Sequence, residues 1–133
     1  MKYCADTWFI LNLFEKDIKS VNILQEIKYG KANLVIPIAV YAESVKKLLQ
    51  KWISERDINQ FFSGVESSNK IRLLLIEKTI AIESAKISLS YNLPLIDSFI
   101  ASTCKLTNCD ALLSGDEHYK TLIKRKYIKV LSW

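Results

Sequence analysis

Ile71-Arg72-Leu73-Leu74-Leu75-Ile76 places five aliphatic side chains in six positions. A run that short and that nearly continuous reads as a strand, and its lack of polar alternation predicts burial on both faces, as in a parallel sheet. Working outward, similar runs recur at residues 2–5, 34–38, 111–113 and 128–131. Between them stand helical patterns. Ile18, Val21, Leu24 and Ile27 recur at helical spacing, with Asp17 as the N-cap and Gly30 just past the end. Val40, Val45, Leu48 and Leu49 form a second helix, with Pro37 suited to the strand end or helix start. Ser54 and Asp57 make a capping pair for a third, which contains Phe61 and Phe62 and ends near Gly64. A fourth covers residues 79–90, is broken by Asn92 and Pro94, and gives way to a fifth over 95–106. Strands alternating with helices indicate an α/β fold with a central, mostly parallel sheet.

The chain has 133 residues, three of them Gly and two Pro, with 50% hydrophobic and 25% charged side chains. That is a single-domain length, able to bury roughly two thirds of its unfolded surface. One domain over residues 1–133 is expected. The formal charge of +5 favours a polyanionic partner. Lys46, Lys47 and Lys51 crowd one helix, and Lys120, Lys124, Arg125, Lys126 and Lys129 crowd the C-terminal end; either cluster alone is equally a solvated face. Cys4, Cys104 and Cys109 are odd in number and lack C-x-x-C spacing, so they read as reduced packing residues, with no disulfide framework and no zinc site. Asp6, Asn12, Glu15 and Lys16 interrupt the N-terminal apolar stretch, and no segment reaches the roughly 20 apolar residues that span a bilayer. A cytoplasmic location, away from membranes, is the expectation.

Four acids fall at the ends of these elements. Asp6 and Asp116 follow strands, Glu43 sits in the first turn or so of its helix, and Asp97 lies in the first turn of another. Ligands of open parallel sheets bind outside the carboxyl ends of the strands, so the four are expected to converge there. Gathered carboxylates repel one another, and a hard divalent ion, Mg²⁺ or Mn²⁺, offsets the repulsion. With one His and no Cys pair, a zinc hydrolase site is disfavoured. The set suits metal-assisted hydrolysis of a phosphodiester. Singly, each acid could be only a cap or turn residue. Glu43 is the least ordinary, because its apolar neighbours imply partial burial. Asp110 precedes its strand and belongs at the opposite end. His118 reads as a lone surface residue, and Trp8, Phe9, Phe61 and Phe62 as packing residues before base-stacking ones. Ser and Cys nucleophile schemes lack a His partner.

The words around the acids carry a resemblance. Ala5-Asp6-Thr7, Ala42-Glu43-Ser44, Leu93-Pro94-Leu95-Ile96-Asp97-Ser98-Phe99-Ile100-Ala101 and Leu112-Leu113-Ser114-Gly115-Asp116, in that order, resemble the PIN domain family, and the compact length is similar to its VapC-type toxins. The resemblance implies a Rossmann-like three-layer fold with helices on both faces of the sheet. It further implies Mg²⁺- or Mn²⁺-dependent cleavage of RNA, homodimerisation and inhibition by a cognate antitoxin. Asp6, Glu43 and Asp97 match the core acids and Asp116 the more variable fourth; Thr7 and Ser114 match hydroxyl positions that orient the site. Gly115 departs from the family, which commonly has a basic or polar residue there. Alternatives are a PIN nuclease of RNA processing without a toxin role, a PIN-like module that binds RNA or protein without turnover, and a phosphoacceptor receiver domain. The last would need paired acids after the first strand, where Thr7-Trp8 stand instead.

Overall fold

The computed structural model describes residues 1–133. In chain order, β1 (Lys2–Ala5) leads to α1 (Thr7–Phe14) and α2 (Ile18–Lys28). β2 (Asn33–Pro37) leads to α3 (Ile38–Gln50) and α4 (Glu55–Val65), and β3 (Ile71–Leu74) to α5 (Lys78–Tyr91) and α6 (Leu95–Leu106). β4 (Ala111–Leu113), a 3₁₀ turn (Glu117–Tyr119), α7 (Lys120–Lys124) and β5 (Val130–Leu131) complete the chain. The strands form one sheet in the order β3-β2-β1-β4-β5, with every neighbouring pair parallel. Helices flank it on both faces, giving the expected three-layer α/β arrangement.

Local chemistry sets the element ends. Asp17 caps α2 by accepting the Ser20 backbone N–H at 3.0 Å, and Gly30 takes φ +89° just beyond its end, where an L side chain would be strained. Ser54 caps α4 through the Asp57 N–H at 3.1 Å. Asn92 stops α5 in the left-handed region at φ 53°, and Pro94 immediately opens α6. That sharp restart puts Asp97 in the first turn of α6. Trp133, near the other end of the chain, is tied back to the start: its indole N–H donates to Asp17 at 3.1 Å, and its ring packs edge-on against Trp8 at 5.0 Å.

Two expectations shift. β3 stops at Leu74, and only Ile71 of its four residues is buried, while Leu75 is 65% exposed. The apolar run reads as doubly buried, but β3 is the edge strand and has a neighbour on one side only. Burial on both faces belongs instead to β2, where Leu34, Val35, Ile36 and Pro37 are all buried. Glu43 lies in the second turn of α3, because the helix begins at Ile38 directly after Pro37.

The core is continuous across the sheet, with Phe9, Ile10, Leu34, Ile36, Phe62, Ile100, Leu112 and Tyr119 fully buried. Each such side chain contributes about 1.5–3 kcal/mol by leaving water. Ile36→Ala is therefore expected to cost about 2–5 kcal/mol of unfolding free energy. Leu75→Ala, at the exposed edge, should stay within about 0.5 kcal/mol. Urea melts of both variants check the contrast, and equal losses would contradict this placement of the core.

Candidate functional site

Successive strands step outward from β1 in opposite directions, β2 and β3 to one side, β4 and β5 to the other. The point where strand order reverses opens a crevice at the carboxyl ends of β1 and β4. Asp6 follows β1 there, and Ser114 and Asp116 follow β4. The parallel register that pairs Ala5 with Leu113 makes these two strand ends level. Asp97 at the start of α6 and Glu43 in α3 complete the wall of a cavity of about 390 Å³, which also exposes Thr7, Trp8, Lys47 and His118. The structure thus brings together all four acids and Thr7; Ser114 sits beneath them.

Asp6 is the most enclosed, at 3% exposure. Its carboxylate accepts hydrogen bonds from the Ser114 hydroxyl and, at 3.0 Å, from the Tyr119 hydroxyl. Burial raises its pKa to about 6, against the lowering effect of those two donors and with a further push from Asp116. Ser114 is a hub, since its Oγ also accepts the Asp116 backbone N–H at 3.0 Å. Asp97, 6% exposed, is likewise shifted up, first by burial and then by the Asp116 charge, with His118 opposing. Glu43 accepts a short hydrogen bond from Thr7, so the residue after Asp6 orients the acid of α3.

His118 does not stand alone on the surface, although its side chain is 60% exposed. Asp116 caps the 3₁₀ turn by accepting the His118 backbone N–H at 2.8 Å, and that turn swings the imidazole inward. Its Nδ1 lies 2.8 Å from Asp97 Oδ2 and 3.3 Å from Asp116 Oδ1. The imidazole is the one side chain that reaches Asp97 Oδ2, a buried oxygen that no other protein donor satisfies. A buried carboxylate oxygen with so few partners is costly unless something else ligates it. Four carboxylates with one such oxygen are a hard-donor set that fits Mg²⁺ or Mn²⁺. Asp97, Asp116 and His118 can each place a ligand atom within 4.8 Å of the others.

Three further residues at the site carried no clear mark in the sequence. Tyr119 is fully buried and donates to Asp6. Lys47 is distinguished from its basic neighbours only in space: it lines the cavity, whereas Lys51 pairs with Glu15 at 3.1 Å. Trp8 explains Gly115. A Cβ on Gly115 would sit 2.5 Å from the indole ring of Trp8, so the family's larger residue has no room here. Asp110 is at the far end of the sheet, where it accepts the Lys2 backbone N–H at 2.7 Å. A larger concavity, about 620 Å³, lies away from the acids and has no carboxylate on its wall.

Residues 3–124 match the PIN domain family model, and the chain belongs to that family. Solved structures of similar fold include VapBC2 from Rickettsia felis, bound to a DNA fragment from their promoter. It is 14% identical with a TM-score of 0.79, over 100% of this chain and 99% of the other. VapBC-1 from nontypeable Haemophilus influenzae is 19% identical, TM-score 0.69, over 100% and 98%. Mycobacterium tuberculosis VapC20, described as a Sarcin-Ricin loop cleaving toxin, is 10% identical, TM-score 0.70, over 90% and 94%. No curated protein matches the sequence significantly.

The Asp6 shift has a sign that can be measured. A carboxylate whose folded pKa is about 6, against 3.8 unfolded, binds more protons when folded between those values, so its contribution to stability falls as pH rises through them. Relative to Asp6→Asn, the metal-free wild type should lose on the order of 3 kcal/mol between pH 4 and pH 7. Mn²⁺ added at pH 7 should restore the wild type more than the variant. Thermal melts of both proteins across that pH range decide it; a pH-independent difference would contradict the burial account.

Proposed function

We propose that this chain is a Mg²⁺- or Mn²⁺-dependent endoribonuclease and acts as the toxin of a VapBC-type toxin–antitoxin pair. The observation that carries the reading is the convergence of Asp6, Glu43, Asp97 and Asp116, distant in sequence, on the wall of one cavity. Asp6, Glu43, Asp97 and Asp116 would hold the ion. A bound divalent ion supplies an activated water and neutralises charge on the scissile phosphate.

The protein's own groups prepare that chemistry. Ser114 and Tyr119 hold Asp6 in one rotamer, and Thr7 does the same for Glu43. Orientation by fixed donors removes the reorganisation that flexible acids would need. Lys47 on the cavity wall is placed to contact a phosphate of the strand, and the Trp8 ring, braced by Trp133, offers a stacking face for a base. His118 keeps Asp97 and Asp116 close together despite their like charge.

Residues 1–133 would function as one PIN domain in the cytoplasm, as a homodimer held inactive by a cognate antitoxin. The fold shared with VapBC complexes supports an antitoxin partner, and no helix is long and apolar enough to cross a membrane. A housekeeping nuclease would share the same site; a small DNA-binding protein encoded in the adjacent reading frame favours the toxin.

RNA cleavage with Mn²⁺ or Mg²⁺, with and without EDTA, tests the chemistry. Asp97→Asn should lower the rate at least about 100-fold, because several kcal/mol of charge stabilisation depends on the ion. Lys47→Ala should weaken RNA binding and flatten its salt dependence. Cleavage that survives both EDTA and Asp97→Asn would refute the metal mechanism, and RNA binding without turnover would favour the non-catalytic module.

A further inference from the structure

Cys4, Cys104 and Cys109 are scattered in sequence and meet in space. Cys4 is in β1, Cys104 in the last turn of α6, and Cys109 in the segment between α6 and β4. Asn108 takes φ 57°, which turns the chain back so that the Cys109 N–H donates to the Cys104 carbonyl at 3.0 Å. The pairing of Cys4 with Leu112 brings β1 alongside. As a result the three sulfurs can all lie within 4.8 Å of one another. Cys4 and Cys104 are fully buried, and Cys109 is half-buried on the wall of the 620 Å³ cavity.

Three small apolar residues could meet simply because they pack well. Two features go beyond packing. First, the thiols act on one another: the Cys104 and Cys4 thiols hold Cys109 below the usual thiol range, the contact with Cys109 pushes Cys104 up, and burial pushes Cys4 up. Second, cations stand nearby. Lys2, whose ammonium donates to the Thr107 carbonyl at 2.7 Å, favours a Cys109 thiolate, and Lys105 favours a Cys104 thiolate. Three thiols within reach of one another, with cations beside the two on α6 and the segment after it, are a soft ligand set.

The number of ligands selects the ion. Structural Zn²⁺ is almost always four-coordinate, but the chain has only three Cys, and its single His is in the acid cluster. We propose that Cys4, Cys104 and Cys109 form a three-coordinate thiolate site for a soft monovalent d¹⁰ ion, Cu(I), separate from the carboxylate cluster. On binding, three Cu–S bonds form, the protons still on the thiols leave to water through the cavity, and copper stays Cu(I). The negative charge of the trithiolate complex is offset by Lys2 and Lys105. The ion would tie β1, at a position two residues before Asp6, to the C-terminal end of α6, whose other end bears Asp97, and would stabilise the folded chain by mass action.

The test uses the full-length reduced protein under anaerobic conditions, titrated with Cu(I) in competition with bicinchoninate. One Cu(I) per chain is expected, with a sulfur-to-copper charge-transfer band in the ultraviolet and three sulfur scatterers by X-ray absorption. Cys109→Ser, at the half-buried position, should weaken binding at least about tenfold while the ion-free melting temperature stays close to the wild type. Asp97→Asn should bind Cu(I) as the wild type does. Failure to bind one equivalent, two-sulfur coordination in the wild-type complex, undiminished binding by Cys109→Ser, or loss of binding in Asp97→Asn would each overturn the site. The wild-type spectroscopy decides the matter even if a cysteine variant misfolds.

Discussion

A nearly buried carboxylate at the centre of the sheet is the constraint to which the rest of the site answers. Asp6 follows β1, the middle strand, and the crossing of strand order leaves it facing inward at 3% exposure. Water cannot solvate it there, so the protein supplies donors from two other segments, Ser114 after β4 and Tyr119 in the following turn. Those donors lower the cost of burial without cancelling it, and the carboxyl still titrates near 6. The neighbouring acids make the charge problem larger. Asp116 pushes both Asp6 and Asp97 upward, and Glu43 adds to the load on Asp97. A fold seldom concentrates desolvated like charges without a counterion. The proposed divalent ion is the simplest resolution.

This coupling explains why features distant in sequence depend on one another. The register of β1 with β4 levels Asp6 with Ser114, the Asn92-Pro94 break starts α6 so that Asp97 faces the crevice, and Thr7 passes orientation to Glu43 on α3. Trp133 braces Trp8, and Trp8 in turn requires glycine at position 115. The acids therefore sit on regular elements whose positions are set by core packing, which suits a site that must present fixed ligands.

Much of this was legible in the residues. Caps at Asp17 and Ser54, and breaks at Gly30, Asn92 and Pro94, are local signals with local causes, so the helices they bound fall where the pattern places them, while the strand runs are found but with shifted or shortened ends. Convergence of the four acids followed from parallel topology. What failed depended on tertiary neighbours. The residue 71–76 run could not reveal that it would become an edge, and the inward turn of His118 depends on a backbone cap made by Asp116. The meeting of three cysteines needs the β1 and α6 packing, which no C-x-x-C spacing encodes. Lys47 looks like Lys46 and Lys51 until the helix is placed against the cavity.

The central claim, that the acids at the strand crossing form a divalent-metal site, is tested most directly by crystals grown with Mn²⁺ and measured for anomalous scattering. The account predicts a manganese peak in the 390 Å³ cavity, within coordination distance of carboxylate oxygens from Asp97 and at least one of Asp6, Glu43 and Asp116. A fully ordered cavity with no peak at saturating Mn²⁺, or manganese found only elsewhere on the protein, would contradict it.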